Sequence, residues 1–136
     1  MRVNTNEISF VIPEDWVNEA GFSSEPNGKS HYEYENSENI FLVSVAEVFP
    51  KIRGENVPIF KGGESDGVFK TARERTVSIL KAIELGVPLP PVEVVNLNGD
   101  KKYKFKLIAG CHRFHCSIAA GFEKIPAVYG FDINSL

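Results

Sequence analysis

The stretch "KFKLIAGCHRFHCSIAAGFEKIPAVYG", residues 104–130, constrains the fold more tightly than any other part of the chain. Tyr103, Phe105 and Leu107 alternate with lysines, the period-two pattern of a strand with one covered face. Gly110 then interrupts the run. Gly121 closes the segment, so a helix is expected from about Cys111 to Gly121, with Cys116, Ile118 and Ala119 packed inward. "KIPAVYGFD" reads as a last short strand. A strand, a helix and a strand joined by single glycines must pack the helix back onto a sheet.

The preceding residues extend this picture. "IFLVSVAEVF", 40–49, predicts one strand, stopped by Pro50. From Thr71 to Leu85 the residues Val77, Ile79, Leu80, Ile83 and Leu85 lie near one helical face, with Thr71 as a cap and Gly86 as the end. "VPLPPVEVVNL" is an extended run leading into a strand, and Asn98-Gly99-Asp100 marks a hairpin turn. The order strand, helix, strand, strand, helix, strand reads as an α+β or α/β sandwich of modest size. Further upstream, "EISFVI" reads as a strand. "PEDWVNEAG" reads as a short helix with Pro13 in its first position and Gly21 at its end. Residues 23–39 read as a polar loop with a Tyr32/Tyr34 strand candidate, and 50–68 as a long glycine-containing loop.

At 136 residues the chain is expected to form a single domain. Its composition, 43% hydrophobic and 24% charged, is ordinary for a globular protein. A net charge of -3 argues against a protein devoted to binding nucleic-acid backbone. "MRVNTNEISF" carries no basic start followed by an apolar run, and no apolar stretch reaches the length of a membrane span. A cytoplasmic protein with reduced thiols is expected.

Both cysteines of the chain and two of its three histidines crowd at Cys111, His112, His115 and Cys116. Three readings are open. In the first, Gly110 lets an anion approach a helix start whose backbone N–H groups, His112 and Arg113 hold phosphate, while the same environment favours a thiolate at Cys111. In the second, a metal is bound. The pairs Cys111/His115 and His112/Cys116 have i, i+4 spacing but lie on different faces, and a structural zinc site wants four ligands. In the third, nothing chemical happens: Cys116 packs in the core and the histidines take surface or capping roles. On a helix the two cysteines point roughly 140° apart, so a disulfide between them is not expected.

From about Phe41 to Asp132 the chain resembles the superfamily of sulfiredoxins and ParB N-terminal domains. The resemblance rests on "FLVSVAEVFP", "RERTVSILKAIELG", "LPPVEVV" and "LIAGCHRFHCSIAAGFEKIPAVYG" in that order. ParB-type domains carry a Gly-Glu-Arg-Arg box before an alanine-rich helix, a glycine and an Ile-Pro strand. The spacing from Gly110 through Gly121 to Ile125-Pro126 is similar. Sulfiredoxins carry Gly-Cys-His-Arg in that box, as Gly110, Cys111, His112 and Arg113 do here. The resemblance implies an α+β fold, a small mixed sheet with packed helices, in a 41–132 core with residues 1–40 as an N-terminal extension.

It also implies an activity, the ATP-dependent rescue of a cysteine sulfinic acid on a peroxiredoxin. Cys111 would then be the nucleophile, with Gly110, His112 and Arg113 as the phosphate cradle. Arg75 and Ser78 would reach the phosphates from the first helix of the core, and Mg²⁺ would arrive with the nucleotide. Some positions depart from the family. The arginine that sulfiredoxins carry at the end of the leading strand falls at about Pro50, with Lys51 or Arg53 nearby, and a helix threonine is replaced by Ala82. Residues 54–70 form an insert. The alternative implied by the same resemblance is a ParB-like nucleotide-binding or phosphotransfer module, or an interaction domain without chemistry. Cys111 replaces the ParB-type glutamate, which argues against glutamate-dependent hydrolysis. No autonomous DNA-binding domain is expected.

Overall fold

A computed structural model describes residues 1–4, 9–23, 39–50, 72–99 and 102–130. The Tyr32/Tyr34 candidate, the Thr71 cap, Lys51, Arg53 and the 54–70 insert lie outside the described residues. Near the N-terminus, β1 (Arg2–Asn4) and β2 (Ser9–Val11) pair antiparallel, and α1 (Glu14–Ala20) follows. Pro13 stands one position further out than expected: its carbonyl accepts from the N–H groups of Trp16 and Val17, so it is the N-cap.

The expected strand over 40–49 is two strands. β3 (Phe41–Ser44) and β4 (Val48–Phe49) are separated by one 3₁₀ turn over Val45–Glu47. The other strands are β5 (Val92–Asn96), β6 (Phe105–Ala109) and β7 (Lys124–Tyr129). Among the described residues they form a five-stranded sheet in the order β3-β7-β5-β6-β4. β3–β7 and β5–β6 are antiparallel, whereas β5–β7 and β4–β6 are parallel.

Thus β3 and β4, consecutive in the chain, occupy opposite edges. In a flat sheet four strand spacings would put them about 19 Å apart. The Cα atoms of Ser44 and Val48 can span only about 14 Å. The sheet therefore curls until its edges approach. Phe41 of β3 meets Phe105 of β6 with ring centroids 5.9 Å apart, across two intervening strands. The Val45 N–H donates to Glu123 O at 2.9 Å and the Lys104 N–H to Glu47 O at 2.9 Å, which fixes the crossing turn at both ends.

Two helices complete the core, α2 (Ala72–Leu85) and α3 (Cys111–Ala119). Each described helix ends in the same way, with a glycine and the residue after it donating back to the last turn. Val87 donates to Ala82 O at 2.8 Å, Phe22 to Val17 O at 3.2 Å and Phe122 to Ser117 O at 3.0 Å. Leu80 and Ile83 of α2 are fully buried, as their spacing predicts, but Leu85 is 68% exposed. Leu85 is the last residue of α2, where the chain turns away, so the helical stripe outlasts the surface it covers. The surprise on the inner face is Thr76, fully buried with a hydroxyl that meets no hydrogen-bond partner among the described residues.

The N-terminal residues share this core. Phe10, Ile12, Trp16 and Val17 belong to one buried cluster with Leu80, Ile83, Leu107, Phe114 and Ile125. α1 is also tied to α2 at the surface, where Arg73 reaches Asp15 at 3.0 Å and Glu19 at 2.9 Å. Among the described residues no helix is long and apolar enough to cross a membrane.

Candidate functional site

The turn between β6 and α3 is built around Gly110. Its φ of 92° and ψ of 30° lie in the left-handed region, where a side chain would be strained. A Cβ there would also stand 2.9 Å from Val92 Cγ1 and 2.9 Å from an Arg113 terminal nitrogen. Glycine at this position thus reverses the chain in one residue and leaves room for the arginine to fold over the backbone.

The first backbone bond of α3 runs from the Phe114 N–H to Gly110 O, at 2.8 Å. The N–H groups of Cys111, His112 and Arg113 therefore precede the helical ladder and point out of the helix mouth. Cys111, His112 and Arg113 are all half-buried, so the expected strand-to-helix turn holds them together at the surface. Arg113 does not project into solvent. One terminal nitrogen donates to Pro90 O at 3.1 Å, anchoring the turn to the extended run before β5. Pro90 lies in "PLPP", an extended run in which Pro88, Pro90 and Pro91 have no N–H to join a ladder.

Further along the helix the two thiols diverge. Cys111 is half-buried and packs against the rim of the core, while Cys116 is fully buried. Burial pushes the Cys116 thiol far above its ordinary 9.0, which keeps it neutral and unreactive, as its place in the sequence suggests. Ser117 donates its hydroxyl to Arg113 O at 2.6 Å, a back-bond within the helix.

The expected surface or capping role of His115 is wrong. It is fully buried, edge-on to Phe10 at 5.2 Å and to Phe114 at 5.5 Å between ring centroids. Its Nδ1 lies 2.7 Å from Cys111 O. A carbonyl only accepts, so Nδ1 carries the proton and donates. The reason is the near-complete burial of α3: Phe114, His115, Cys116, Ser117 and Ala119 all lie inside, so the helix has hardly any exposed face for a polar residue to choose. The i, i+4 spacing of Cys111 and His115, considered above for a metal, instead serves a side-chain bond to a carbonyl. Among the described residues no group of three or more His, Cys, Asp and Glu side chains could hold a metal ion.

Arg75 and Ser78 are exposed on α2, which packs against α3. The structure puts their helix beside that of the turn. Arg73, two residues before Arg75, is committed to Asp15 and Glu19. No family model, curated protein or solved structure matches the chain.

A separate cleft of about 390 Å³ lies at the far end of α3, lined by Ser44, Val45, Ile118, Phe122 and Glu123 among others. It is shaped by the crossing turn of the sheet and does not include the glycine turn. His115 and Pro90 are the residues that sequence reasoning missed. The signal for His115 was present, in the i, i+4 spacing to Cys111.

Proposed function

We propose that the protein binds a nucleoside triphosphate, ATP in the first instance, at the Gly110–Arg113 turn, with Cys111 as a sulfiredoxin-like nucleophile. The observation that carries this reading is the left-handed Gly110 between β6 and α3. It sets three N–H groups ahead of a helix ladder and leaves a half-exposed thiol at the same mouth.

The residues fit phosphate. Backbone N–H groups at a helix start favour anions, and the planar guanidinium of Arg113 beside them matches the geometry of phosphate oxygens. His112 would add a donor, and Arg75 and Ser78 could approach from α2. No described cluster would hold Mg²⁺ by itself, so the ion would be carried by the phosphates. In the sulfiredoxin-like reaction Cys111 would attack the sulfur of a phosphorylated sulfinic acid on a peroxiredoxin. A sulfur–sulfur bond forms and phosphate leaves. Cys116 takes no part because it is sealed in the core.

A second reading draws on the packing of Cys111 against the core, which covers part of its surface. It is a ParB-like nucleotide-binding or phosphotransfer module in which the thiol only packs. The two readings share the phosphate cradle and differ in Cys111.

The test is thermal unfolding with ATP and CTP offered separately. Ligand at a hundred times its Kd stabilises the fold by about 2.7 kcal/mol. Arg113→Ala should weaken nucleotide binding more than Arg75→Ala, since each charge-assisted bond contributes about 1.5–3 kcal/mol. Wild-type affinity of the Arg113 variant by calorimetry would remove the cradle. Turnover of a sulfinylated peroxiredoxin with ATP then separates the two readings.

A further inference from the structure

His115 is a buried, titratable side chain that the proposed chemistry does not use, and its only ring donor is directed at the backbone of Cys111. We propose that His115 is a positioning residue: it holds the first turn of α3, and with it the Cys111 thiol, in the orientation needed for reaction. The proposal rests on the reading of Cys111 as the reacting thiol and adds to it a residue four positions further along the helix.

The geometry is specific. The Cys111 carbonyl lies in the first helical turn, where a short helix frays first. His115 Nδ1–H reaches that carbonyl at 2.7 Å. The imidazole cannot swing away, because Phe10 and Phe114 meet it edge-on and it is fully buried. Serine or threonine could also bond to a carbonyl one turn back. Only a long planar side chain can do so while filling the space beneath Phe10. The N-terminal strand β2 thereby gains a role, since Phe10 forms the wall that keeps the ring aimed at Cys111. An ordered first turn keeps the N–H groups of residues 111–113 aligned, and aligned donors at a helix start favour the thiolate. Loss of the tether should therefore slow Cys111 without touching the thiol itself.

Two substitutions separate positioning from packing. His115→Leu keeps an apolar filling and removes the donor. His115→Asn keeps a donor nitrogen in the place of Nδ1 and removes the ring. Alkylation of Cys111 by iodoacetamide, read by mass spectrometry across pH, needs no nucleotide and so stands apart from the nucleotide-binding test. The leucine variant should alkylate about two- to fivefold more slowly at neutral pH, with its midpoint moved upward. The asparagine variant should stay within about twofold of wild type although it melts lower. Reactivity and melting temperature then rank the variants in opposite orders. Rates that simply follow melting temperature would reduce His115 to a core residue and overturn the proposal. Should the leucine variant fail to fold, ¹⁵N NMR of the wild-type imidazole decides: the Nδ1–H tautomer supports the tether, and the Nε2–H tautomer refutes it. If ATP does not bind but the reactivity pattern holds, the nucleotide reading fails and the positioning role survives.

Discussion

Replacing Gly110 by alanine tests the turn on which the candidate site depends. Two costs add. Holding a non-glycine residue in the left-handed region costs about 1–3 kcal/mol, and φ of 92° lies toward the strained side. The new methyl would then meet Val92 Cγ1 and an Arg113 nitrogen, each at 2.9 Å. The arginine is long and can yield. Val92 is fully buried in β5 and has no room to retreat, so overpacking adds about 1–3 kcal/mol. The sum is about 2–6 kcal/mol.

Gly21 supplies the control. Its φ of 66° is also left-handed, but nothing lies within 4 Å of its would-be Cβ. Gly21→Ala should cost only the backbone term, about 1 kcal/mol. Urea unfolding of both variants measures the difference, provided the m-value is unchanged. Adding Arg113→Ala to Gly110→Ala should recover only the arginine share of the clash and leave the Val92 share. Equal destabilisation by Gly21→Ala and Gly110→Ala would refute the close packing of the turn. A Gly110→Ala variant as stable as wild type would refute the left-handed backbone as well.

Three further outcomes are expected. Cys116 has its thiol pushed up from 9.0 by burial, so folded protein keeps the proton while unfolded chain loses it. Its contribution is intact below about pH 9 and declines above it by up to about 1.4 kcal/mol per pH unit. The alkaline slope of urea stability should shrink in Cys116→Ala. Thr76→Val keeps the side-chain shape and removes a buried hydroxyl with no partner among the described residues, so chemical denaturation should show a gain of about 1 kcal/mol. Leu80→Ala should cost about 2–5 kcal/mol, whereas Leu85→Ala, 68% exposed, should change stability by no more than about 0.5 kcal/mol in the same assay.

Local chemistry was legible in the sequence. Gly21, Gly86 and Gly121 end their helices where glycine was read as a stop, and a bend at Asn98-Gly99 follows β5. The turn at Gly110 was equally visible, because a glycine between an alternating run and a helical one has few other uses. What escaped depends on distant partners. Residues 40–49 look like one strand, since Val43 and Val48 are both apolar. Only the Glu123 and Glu47 carbonyls, bonded from far along the chain, show where the strand must break. His115 looks polar in the sequence, but Phe10, over a hundred positions earlier, makes its site apolar. The chemistry of Cys111 was read from neighbouring residues. The His115 ring beneath it meets Phe10 of the N-terminal hairpin, which no neighbouring residue announces.

The crossing of the sheet by residues 45–47 bears on how this molecule comes apart. Edge strands usually peel away one at a time, because each edge is held by its own stretch of chain. Here a single short stretch closes both. Strands β5, β6 and β7 lie within residues 92–129, whereas both edges are supplied by the single segment 41–49. If β3 is pulled off β7, the Val45–Glu47 turn is dragged with it and β4 loses its anchor on β6. The two edges should thus open as one cooperative unit, with amide hydrogens of Phe41–Ser44 and Val48–Phe49 exchanging at a common opening free energy. A staple of this kind leaves no half-open sheet with one bare edge for a second chain to join.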